Sequence, residues 1–65
     1  MAKRDLSNSD EVYFELIAIG HSVKVTAIHA ASGTEVSIVG PASAARSDLE
    51  RLALQKLKAR LKGGE

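Results

Sequence analysis

The chain has no cysteine, a single proline (Pro41) and only one tyrosine and one phenylalanine, the neighbours Tyr13 and Phe14. Without cysteine, neither a disulfide framework nor a thiolate metal site can reinforce the fold. Apolar packing must hold it together. Two aromatics side by side on a strand point to opposite faces, which is too little for stacking nucleic-acid bases. Long apolar runs are also missing. The longest, Val12–Ile19, is interrupted by Glu15 and falls well short of the roughly 20 residues that span a bilayer. No membrane span is expected, and residues 1–10 lack the apolar centre of a signal peptide, so the chain reads as soluble and cytoplasmic. Charge of one sign is scarce as well. A net charge of +1 says nothing global about partners, but its distribution is uneven. Arg46, Arg51, Lys56, Lys58, Arg60 and Lys62 outnumber the acids from Ser43 onward, whereas from Leu6 to Ala42 Lys24 alone faces Asp10, Glu11, Glu15 and Glu35.

At 65 residues there is room for one small domain, near the lower limit at which a single core outweighs chain entropy. Stability is expected to be modest or shared with a partner. Residues 1–10 offer nothing to bury and read as a flexible tail, residues 11–62 as the domain, and residues 63–65 as a C-terminal tail. Residues 11–19 and 22–30 alternate with a period of two around Gly20-His21, a Gly-X pair suited to a type II′ hairpin turn. That turn pairs Ile19 with Ser22, Leu16 with Val25, Phe14 with Ala27 and Val12 with His29. A second turn around residues 31–34 leads to a third strand, residues 35–39. Its register is open. An even-length loop places Val36 and Ile38 on the Phe14 face, with Val36 opposite His29, whereas a three-residue loop with a left-handed Gly33 reverses the strand. The even loop gathers the larger apolar set and is preferred.

Gly40-Pro41 is expected to stop that strand. A helix follows, starting near Ser43 or at Ser47, where Ser47-Asp48-Leu49-Glu50 matches a capping box. At about 100° per residue, Leu49, Leu52, Ala53, Leu57 and Leu61 form the stripe toward the sheet, with Leu54 at its edge and Arg51, Gln55, Lys58 and Lys62 opposite. Gly63-Gly64 ends the helix. The expected fold is α+β: a three-stranded antiparallel β-meander followed by one C-terminal α-helix packed on one sheet face (β-β-β-α).

No constellation carries catalysis. His21 sits in a turn, where a solvated polar side chain is the ordinary explanation, and His29 reads as closing the open end of the core. Their spacing fits no zinc motif, and no serine stands in a nucleophile or phosphate-loop setting. Neither cofactor, metal nor catalytic residue is expected. Arg51, Lys58 and Lys62 on the helix are the residues that a nucleic acid would touch, although a solvated helix face explains them as well. The first strand is more telling. It is apolar on both faces, yet one helix can cover only one of them. The uncovered face carries Tyr13, Ile17, Ile19, Ile28 and Val39, a cluster of the size that marks interfaces. The first and third strands are also sheet edges, open to pairing with a second copy. A small interaction module is therefore expected, self-associating or bound to a protein partner through that face or an edge.

The run Val25-Thr26-Ala27-Ile28-His29-Ala30-Ala31-Ser32-Gly33-Thr34-Glu35-Val36-Ser37-Ile38-Val39-Gly40-Pro41, with Asp48-Leu49-Glu50-Arg51-Leu52-Ala53 after it, resembles a family of short alphaproteobacterial proteins of unknown function. The resemblance implies a free-standing cytoplasmic bacterial protein. It carries over no catalytic or binding residue.

Overall fold

A computed structural model describes residues 11–63; the expected N-terminal tail, 1–10, and residues 64–65 lie outside the described residues. Strands β1 (Val12–Ile19), β2 (Ser22–His29) and β3 (Glu35–Pro41) form one antiparallel sheet in the order β1-β2-β3. Helix α1 (Arg46–Leu61) packs on one face, giving the expected β-β-β-α fold.

The first hairpin follows from its turn. Gly20 takes φ of 60° and His21 has no positive φ, the combination that a type II′ turn requires and a type I′ turn forbids. Ile19 accordingly pairs with Ser22, Leu16 with Val25, Phe14 with Ala27 and Val12 with His29. The second hairpin keeps the expected faces with a different register. Val36 lies opposite Ala27 and Ile38 opposite Val25, so Val36 does not face His29. The strands separate earlier than the composition of residues 31–34 suggests. His29 N–H donates to Thr34 O (2.8 Å) and Gly33 N–H to His29 O (2.8 Å), closing the loop over residues 30–33 with Gly33 left-handed at φ of 76°. The serine hydroxyl holds the bend: Ser32 Oγ accepts from Thr34 N–H (3.2 Å) and lies 2.8 Å from His29 Nδ1.

Pro41 does not stop β3, which runs through it. Pairing alternates along an antiparallel strand, and Ala42 N–H reaches His21 O at 2.8 Å, so Pro41, opposite Ser22, occupies a position whose nitrogen faces away from β2. A missing N–H there breaks no ladder bond. Gly40 has the opposite orientation. A Cβ on it would run into Leu49 Cδ2, so the first buried leucine of α1 seats directly on this glycine.

That seating sets the start and phase of α1. The helix begins at Arg46 with Ala45 as its N-cap and no side-chain cap, so the Ser47 capping box is not formed. Ala45 O accepts from Asp48 N–H (3.0 Å) and Leu49 N–H (3.2 Å), and Glu50 is drawn instead to Arg46 Nε at 3.0 Å. Gly63, at φ of 83°, terminates the helix as expected.

The core comprises Val25, Ala27, Val36, Leu49, Ala53 and Leu57. Two leucines expected in the stripe fall outside it: Leu52 is 52% and Leu61 41% exposed. The buried series Leu49, Ala53, Leu57 has a spacing of four, which rotates the contact line so that Leu52 overhangs the β3 side and Leu61 the β1 side. Helix α1 lies over β2 and β3. A helix about 10 Å wide covers roughly two strands spaced about 4.8 Å apart, and this sheet has a third.

Candidate interaction surface

The third strand is β1, and its position determines what its residues can do. Even-numbered β1 residues point to the helix side, yet Val12, Phe14 and Leu16 remain half-buried and Ala18 exposed, because α1 does not reach across them. Between β1 and the C-terminal half of the helix lies an open groove of about 570 Å³ lined by Val12, Phe14, His29, Leu54, Leu57, Lys58 and Leu61. Its lining is apolar apart from His29 and Lys58. The even side of β1 is therefore only partly core, a consequence of the relative widths of one helix and three strands.

On the opposite face the expected patch is divided. Tyr13 is next to Ile28 across the β1–β2 ladder, and Ile17 is near Ile19 on the same strand. Lys24 lies between Ile17 and Val39. A polar row, Glu15, Thr26 and Ser37, runs between the two groups, with Thr26 Oγ1 and Ser37 Oγ hydrogen-bonded at 2.9 Å. Thr26 is only 6% exposed, since it sits at the centre of the sheet. Tyr13, Ile17, Ile19 and Val39 are exposed, whereas Ile28 is half-buried.

The edges differ more than the faces. Even-numbered β2 residues bond toward β1, as Ala30 N–H does to Glu11 O (3.0 Å), and odd-numbered ones toward β3, as His29 does. Backbone groups of Glu35, Ser37 and Val39 consequently face outward along β3, and those of Val12, Phe14, Leu16 and Ala18 outward along β1. The β3 edge is obstructed. Lys56 Nζ donates to Ser37 O at 2.8 Å, and Pro41 adds a ring without a donor. Among the described residues, no element pairs with the β1 edge. It is regular, apolar but for Glu15, and flanked by Tyr13, Ile17 and Ile19 on one face and Phe14 and Leu16 on the other.

The other candidate residues stay dispersed. His21, in the turn before β2, and His29, at the far end of that strand, lie roughly 26 Å apart at about 3.3 Å per residue. Arg51, Lys58 and Lys62 are all exposed on α1; Lys58 also lines the groove beside β1, and Arg51 Nη1 lies 3.5 Å from Asp48 Oδ1. Comparison with curated proteins and with solved structures returns no match. A family model does match, over residues 9–64, and the chain belongs to that family, the domain of unknown function DUF6898.

Proposed function

We propose that the protein is a small, non-catalytic interaction module that associates through β1, with a second copy of itself or with a strand of another protein. The contrast between a β1 edge with which no element pairs among the described residues and a β3 edge obstructed by Lys56 and Pro41 carries this reading. An open apolar edge flanked by half-covered Phe14 and Leu16 leaves both main-chain bonds and apolar area for a partner to complete. Strand addition uses both. A cytoplasmic bacterial setting belongs to the same reading and rests on the family resemblance of residues 25–41.

Sedimentation of the chain between about 10 μM and 1 mM tests the self-associating form, a range suited to a weak interface. The double variant Tyr13→Lys/Ile19→Lys places charges on the exposed side of β1 and should abolish association. Association that survives it removes β1 from consideration, and a wild-type chain that is monomeric throughout removes self-association. One observation favours a second reading, weak nucleic-acid binding: Arg51, Lys58 and Lys62 are all exposed on α1. Binding of this kind must fall steeply with salt, and no retention of RNA or DNA at low salt would dispose of it.

A further inference from the structure

Resting on the self-association reading, we infer that two copies pair through β1 as antiparallel neighbours about a two-fold axis at Leu16, joining their sheets into one of six strands with both helices on the same face. The outward backbone groups of β1 belong to even-numbered residues, so a continuous ladder must set even residues opposite even ones. That parity also keeps the helix-side residues of both copies on one face. Two centred registers give long overlap. With Glu15 on the axis, two carboxylates stand directly opposite each other, which is destabilising. With Leu16 on the axis, Glu15 faces the second copy's Ile17, Tyr13 faces Ile19, and the large Phe14 faces the small, exposed Ala18. No like charges are opposed, and bulk meets space. The second copy also extends apolar cover over the half-buried side of Phe14 and Leu16. The area sets the strength. A strand edge roughly 26 Å long and about 10 Å deep offers about 260 Å² of flat contact per copy, below what stable dimers bury, so the dimer is weak and forms between tens of micromolar and about 1 mM.

Amide hydrogen exchange read residue by residue by NMR tests the arrangement. Tyr13, Glu15 and Ile17 should be protected at every concentration because β2 holds them, whereas Phe14, Leu16 and Ala18 should gain protection only as concentration rises. Ala18→Pro removes an outward N–H at an exposed position while sparing the β1–β2 ladder, and should weaken the dimer at least tenfold. Ala18→Lys, which needs no backbone adjustment, should weaken it in the same direction. Ile17→Lys should leave the affinity within about threefold, since position 17 faces Glu15 of the second copy and gains an opposite charge. A dimer lost in Ile17→Lys but kept in both Ala18 variants would overturn edge pairing while retaining association through the sheet face. Concentration-independent exchange at Phe14, Leu16 and Ala18, or a monomer at 1 mM, would also overturn the proposal.

Discussion

Gly40→Ala is the smallest change that should disturb this fold measurably. The added Cβ would meet Leu49 Cδ2, and Leu49 is only 4% exposed, so it cannot swing out to solvent without opening the core. Overpacking of this kind costs about 1–3 kcal/mol. Opposing it is a gain of about 0.4–1 kcal/mol from restricting the unfolded chain, available because Gly40 does not have a positive φ. The net expectation is a loss of about 1–2 kcal/mol, a large share of what a domain this small possesses. Urea unfolding followed by far-ultraviolet circular dichroism at low micromolar concentration keeps association out of the measurement. With a slope near 1 kcal/mol/M, the midpoint should fall by about 1–2 M. Leu49→Ala alone should cost about 2–5 kcal/mol. The double variant is decisive: with Cδ2 gone, the alanine at position 40 meets no clash and fills part of the cavity, so the two losses should be non-additive by about 1 kcal/mol or more. An unchanged midpoint for Gly40→Ala, or strict additivity, would refute the seating of Leu49 on Gly40.

The corrected helix stripe predicts a contrast between two leucines. Leu57→Ala should cost about 2–5 kcal/mol, whereas Leu52→Lys should stay within about 0.5 kcal/mol by the same unfolding assay. Lys56→Ala removes the donor that covers Ser37 O at 2.8 Å and should change stability by less than about 1 kcal/mol. With a second edge exposed, this variant should sediment as species larger than a dimer at high concentration. A distribution identical to wild type would show that Lys56 does not guard that edge.

Most of the local structure was legible because its causes are local. A Gly-X turn fixes the β1–β2 register through its own backbone requirement, and helix-forming composition ended by Gly63 fixes the extent of α1 near its C-terminus. Where an outcome depended on distant residues, the sequence was ambiguous. The Ser47 capping box is a sound local signal, but Leu49 has to land on Gly40, and that contact governs the phase of the first turn. Leu52 has the right spacing for the stripe, yet which side of the stripe faces the sheet depends on where the helix lies over the strands. The β3 pairing shifted by two residues for a similar reason. Hydrogen bonds from His29 and Ser32 close the loop over residues 30–33, and composition alone gives no measure of their geometry.

The candidate surface divides along the same line. By itself, the sequence determined that β1 is apolar on both alternating sides and that cysteine, metal-ligand spacing and a membrane-length apolar run are missing, since each of these is a property of residue type and order. It could not rank the two sheet edges. Tertiary structure decided that α1 spans β2 and β3, which brings Lys56 to the outward carbonyl of Ser37 and leaves the equivalent groups of Phe14 and Leu16 beyond the reach of the helix. The physical reason is width: one helix covers two strands, and the side on which the third is left depends on contacts such as Leu49 with Gly40, between residues that fold together from separate elements.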